Sequence, residues 1–109
     1  MSLNASTLGR DMLTALMEVL KGKAPDIRRY AEAESKKMAH SIVMIEKLVV
    51  AGTINEEEAK LHLSIQKNAA RTVFLTIEGL GIIAVQEAIN AALDVVKDTV
   101  NKALGFGLV

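Results

Sequence analysis

From Asp26 to Ala51 the chain runs without a single glycine or proline. That uninterrupted stretch restricts the possible folds more than any other feature of the sequence. About 26 residues at 1.5 Å each make a helical rod of roughly 39 Å. Ile27, Ala31, Met38, Ile42, Ile45 and Val49 recur along it at helical spacing, and Leu48 widens the stripe near its end. The first half is wet and basic. The second half, 41–51, is almost wholly apolar and is expected to be buried on several sides. The rest of the composition agrees with a helical class. One proline and seven glycines serve 109 residues, and only three residues are aromatic. A sheet of this size would want aromatic and β-branched residues in short alternating runs divided by turns. The expected fold is all-α and a single domain, with no room for a second catalytic module.

Three helices are expected, over about 6–21, 25–51 and 55–104. Ser6 or Thr7 is placed to cap the first, whose apolar positions are Leu8, Met12, Leu16, Val19 and Leu20. Gly9 weakens its first turn, which makes this the most mobile helix expected. Gly22 supplies a left-handed stop, and Pro25 suits the first turn of the second helix. Gly52 ends that helix. Either Thr53 with Glu56 or Asn55 with Glu58 forms a capping box for the next, and the run Glu56-Glu57-Glu58 then meets the positive end of a helix dipole.

Gly79-Leu80-Gly81 is the ambiguous point. The apolar line Leu61, Ile65, Leu75, Ile82, Ile89, Leu93, Val96 and Val100 keeps phase across it, and residues 79–83 contain no Ser, Thr, Asp or Asn to open a new helix. One long helix from 55 to 104 with a bend or break near 79–81 is the favoured reading, Gly79 and Gly81 marking a kink or a close approach by another backbone. Such a helix is too long for its own chain to cover. The stripe Ile82, Ile89, Leu93, Val96 and Val100 would then be a subunit interface. The expected architecture is an elongated antiparallel helical hairpin with a short N-terminal helix, completed into a bundle by self-association, a twofold dimer being favoured. The apolar, glycine-broken ending 104–109 fits either a tail docked on a neighbour or a frayed end.

Thirteen basic and thirteen acidic residues cancel, so no overall field steers the chain to nucleic acid or anionic lipid. Without cysteine there is no disulfide framework, thiolate zinc site or thiol nucleophile. No apolar run approaches a membrane span, and the N-terminus lacks the pattern of a secretory signal, so a cytoplasmic location is the expectation. His40 and His62 are the two histidines, and neither belongs to a Glu-x-x-His pair of the kind that di-metal bundles use. Glu46, Glu58 and His62 are the residues a hairpin would bring nearest to a mononuclear metal site, while a solvated histidine is the simpler reading. Gly79 and Gly81 form a bare Gly-x-Gly without a preceding strand, and no serine sits in an exposed elbow. No cofactor and no catalytic constellation is indicated. Lys21, Lys23, Arg28, Arg29, Lys36 and Lys37 make segment 21–37 net positive, a weak nucleic-acid candidate with only Tyr30 available for stacking.

The polar residues that fall on apolar lines are more informative. Glu34 lies between Ala31 and Met38, and hairpin arithmetic places Arg71 within a turn of it. Asn68 and Thr72 interrupt the line through Leu61, Ile65 and Leu75. Polar residues at such positions fix register and oligomer state in helical assemblies, or else line a cavity for a small ligand. The function expected is that of a non-catalytic interaction or assembly protein, with a ligand- or metal-binding bundle and a weak nucleic-acid binder as alternatives.

Overall fold

A computed structural model of the chain describes residues 3–23 and 26–109. It contains four helices, α1 (Ala5–Leu20), α2 (Ile27–Val50), α3 (Glu56–Leu75) and α4 (Ile82–Leu104), and no strand among the described residues. Segments of five or six residues (21–26, 51–55 and 76–81) separate successive helices, and each helix packs on the next. The resulting bundle measures 42 × 22 × 18 Å. Helix α1 packs extensively on both α2 and α4, and α3 leans on α2 and more lightly on α4, its backbone staying apart from that of α1.

The first helix, expected to be the most mobile, is the centre of the core. Leu8, Met12, Leu16 and Leu20 recur every fourth residue and are all buried. Its N-cap is Asn4, whose Oδ1 accepts the Thr7 N–H at 3.0 Å, so Ser6 and Thr7 lie inside the helix. Gly9 sits where α1 comes close to α2: a Cβ there would lie 3.6 Å from the Ala39 Cβ. That is ordinary van der Waals contact, so a methyl group would fit there and only a larger side chain would push the helices apart.

In α2 the line Ile27, Ala31, Met38, Ile42 and Ile45 is buried as its spacing predicts. Its C-terminal half is not enclosed on all sides, for Met44 is 57% and Val50 76% exposed. Asp26 precedes the first turn, and Pro25 lies outside the described residues.

Helix α3 stops at Leu75, so the single helix over 55–104 is replaced by two. Thr76 closes α3, its hydroxyl donating to the Val73 carbonyl. Gly79 then adopts φ +95°, and a Cβ there would meet the Lys23 carbonyl oxygen at 3.2 Å. The glycine is thus pinned against the α1–α2 connection, a close approach by another backbone within a true reversal. Gly81, in extended backbone, opens α4 without a side-chain cap, a position glycine tolerates. Leu75 and Ile82 keep phase across the break only because they are seven residues apart. That spacing is in register on a continuous helix, yet the chain reverses between them and both side chains remain exposed.

The reversal returns α4 to α1. Ile89, Leu93, Val96 and Val100, expected between subunits, are buried in the core of one chain together with Val85, Ala88 and Ala92, and only Ile82 of that stripe is exposed. The ending folds back on its own helix. Asn101 Oδ1 accepts the Leu108 and Val109 N–H groups at 2.9 and 3.0 Å, and Leu108 is buried. Among the described residues no helix is long and apolar enough to cross a membrane.

Candidate functional site

Helix α3 carries a stripe of exposed apolar side chains, and its first turn is held by a reciprocal cap. Asn55 Oδ1 accepts the Glu58 N–H at 2.8 Å while Glu58 Oε1 accepts the Asn55 N–H at 3.0 Å, which makes Asn55 and Glu58 the capping box. Glu56 pairs with Lys60 at 3.2 Å on an exposed face. Three carboxylates at this end suit the helix dipole.

The core face of α3 is Ala59, Leu63, Ala70 and Phe74. The bulkier stripe points away from it. Leu61 is 61%, Ile65 53% and Leu75 39% exposed. A residue two positions from a core residue lies about 200° round the helix, so 61, 68 and 72 stand nearly opposite Leu63, Ala70 and Phe74. Asn68 and Thr72, expected to be buried polar residues, therefore belong to this outward stripe and are exposed. Sequence spacing found the stripe and assigned it to the wrong side.

Arg71 does not reach Glu34. Its Nη2 donates to Asn68 Oδ1 at 3.2 Å on its own helix, and it is half-buried. Glu34 is buried as its position predicts, but its Oε2 accepts from Lys37 Nζ at 3.2 Å, a lysine that lies along the same helix with its side chain largely in water. Glu46 is a second buried carboxylate, and its Oε1 accepts the Leu3 N–H at 2.9 Å, tying the N-terminal segment to α2. The hint was its place inside the apolar run 41–51. Every buried side-chain nitrogen and oxygen among the described residues has a hydrogen-bond partner, so the interior polar groups are engaged structurally.

The trio Glu46, Glu58 and His62 is not assembled. Glu46 holds the N-terminal segment, Glu58 caps α3, and His62 is exposed. No group of three His, Cys, Asp or Glu residues placed to hold a metal ion occurs among the described residues. The basic residues of 21–37 are exposed but partly compensated: Arg28 pairs with Glu32 at 3.0 Å, Lys37 with Glu34, and Arg29 lies 5.8 Å from the centroid of the Tyr30 ring.

Two open grooves flank α3. One of about 260 Å³ lies toward α4 between Lys67, Asn68, Arg71 and Gln86. The other, of about 250 Å³, lies toward α2 and is lined by His40, Met44, His62 and Gln66. Both fall below the roughly 300–1,000 Å³ of small-molecule pockets. Met44, beside His62, broadens the apolar strip of α3 on that side. The fold and this strip define an all-helical bundle with one helix apolar on two faces. No family model matches the chain, and neither a curated protein nor a solved structure does so.

Proposed function

We propose that this chain is a non-catalytic helical interaction protein whose contact surface is the outward stripe of α3. One observation carries the reading: Leu61 and Ile65 stand more than half exposed on a helix whose other face already closes the core. Exposed apolar side chains aligned at helical spacing on a capped helix are the mark of a contact surface. The two grooves beside α3 are open and small, and the buried polar groups are spent on internal bonds, which favours contact with a protein over enclosure of a small ligand at this helix. The chain's balanced charge favours apolar recognition in the same way.

A photo-reactive amino acid at position 65, activated in cells, tests this. Discrete protein adducts are expected from position 65 and not from position 87, where Glu87 is exposed on α4. Equal, diffuse labelling from both positions would remove the reading.

A further inference from the structure

We infer that the occupant of the α3 stripe is the same stripe of a second copy of this chain, docked antiparallel about a twofold axis beside Ser64. This deepens the interaction reading above and rests on it. The stripe positions Leu61, Ile65, Asn68, Thr72 and Leu75 advance in alternating steps of four and three residues, the repeat of a seam between paired helices.

Only certain registers match like with like. In one antiparallel register Leu61 faces the partner's Ile65 twice over, and Asn68 faces the partner's Glu58. Sliding the copies by one repeat sets Asn68 against Ile65 and Thr72 against Leu61, which desolvates polar groups against apolar ones. A parallel pair sets Glu58 against Glu58 and stacks two acidic first turns side by side, where like charges repel.

Charge and hydrogen-bonding capacity select the same register. The first turn of α3 is acidic at Glu56, Glu57 and Glu58, while Lys67 and Arg71 stand in its second half. Antiparallel docking sets each acidic end on a basic end, and in this register Glu57 flanks the seam opposite the partner's Arg71 on both sides of the axis. The capping box engages Glu58 Oε1 and leaves Oε2 free, and Arg71 occupies Asn68 Oδ1 and leaves the amide N–H groups free. A free donor and a free acceptor are what the Asn68–Glu58 layer requires. One helix of about 30 Å from each copy buries less than the roughly 1,600 Å² of a standard interface, so the dimer belongs to the weak, reversible class with a dissociation constant in the micromolar range.

Sedimentation equilibrium of the full chain from micromolar to submillimolar concentration should show reversible exchange between the 11.7 kDa chain and twice that mass. Glu57→Arg and Arg71→Glu should each weaken the dimer by about tenfold or more, and the double variant should restore it. Circular dichroism checks that the single variants keep wild-type helicity, so that lost mass reports lost association. The chain has no cysteine of its own, which allows a positional check: a short bismaleimide should join copies of Ser64→Cys but not of Thr72→Cys, whose sites lie about 27 Å apart along the axis. A wild type that stays monomeric throughout, failure of the double variant to recover, or linking at position 72 in place of 64 overturns the inference. A monomer that still gives a heavier adduct from position 65 in cells loses the self-docking while the interaction reading stands. A monomer without adducts loses both.

Discussion

Phe74→Ala and Ile65→Ala, two truncations on one helix, should have very different costs. Phe74 is fully buried, and emptying such a site destabilises by about 3–5 kcal/mol through lost transfer energy and the cavity left behind. Ile65 keeps 53% of its surface in water. Complete burial of such a side chain is worth about 1.5–3 kcal/mol, so its truncation forfeits at most about half of that. Alanine's better helix propensity returns a few tenths of a kcal/mol, and the net cost should be about 1 kcal/mol or less. Urea titrations followed by circular dichroism, at protein concentrations too low for association, separate the two. With a slope of about 1–2 kcal/mol per molar, Phe74→Ala should lower the midpoint by about 1.5–5 M and Ile65→Ala by about 1 M at most. If Phe74→Ala proves too unstable to purify, Phe74→Leu, costing about 1–1.5 kcal/mol, gives the same ordering against Thr72→Ala. Equal losses at positions 65 and 74 would refute the orientation of α3, and with it the exposed stripe.

Gly79→Ala should cost about 1–2 kcal/mol, since a side chain at φ +95° is strained and its Cβ meets the Lys23 carbonyl oxygen; thermal denaturation reads the loss. Gly9→Ala should be neutral or stabilise by up to about 1 kcal/mol, because a methyl group there makes only ordinary contact with Ala39, whereas Gly9→Leu should lower the thermal midpoint by pushing α1 off α2. Asn101→Ala should release the ending, with faster amide exchange at Leu108 and Val109 and a loss of about 1–2 kcal/mol from the hydrogen bonds to the tail.

Local chemistry was legible in the sequence at several points, although the cap of α1 is Asn4 and not Ser6 or Thr7. The core line of α2, the Asn55–Glu58 capping box among the two alternatives, and the burial of Glu34 followed from spacing and residue type. Two structural readings failed where signals competed. Helix α3 has two apolar stripes, and the heavier one, Leu61-Ile65-Leu75, drew the core assignment away from Ala59-Leu63-Ala70-Phe74. Alanine scores as weakly apolar, yet at a helix contact its small size lets backbones approach, and Phe74 then fills the remaining space. At 79–81 the absence of a capping side chain spoke against a new helix, although glycine in extended backbone starts one adequately. The error there moved α4 outward and left α1 without its true role. Once the chain reverses at 76–81, the stripe of α4 packs in the core with Leu8, Met12, Leu16 and Leu20 of α1, and an apolar stripe left in water falls to α3.

That exchange changes what a charge in either stripe should do. With Ile89 and Leu93 at a subunit interface, replacing both by aspartate would separate subunits and leave folded monomers. Here each is only 4% exposed, in a core shared with α1. A carboxylate at 89 would border the groove that also holds Lys67 and Arg71, but one at 93 would replace a leucine of the core, where burying charge costs several kcal/mol, a large share of the about 5–15 kcal/mol that holds a typical domain together. Ile89→Asp with Leu93→Asp should therefore unfold the chain at any protein concentration. Leu61→Asp with Ile65→Asp should leave helicity and the unfolding midpoint close to wild type while lowering the mass at high concentration to that of a monomer. Far-ultraviolet circular dichroism and sedimentation of the two double variants, run side by side, decide the matter. A folded monomer from the α4 pair would return the interface to α4, and an unfolded chain from the α3 pair would place Leu61 and Ile65 in the core.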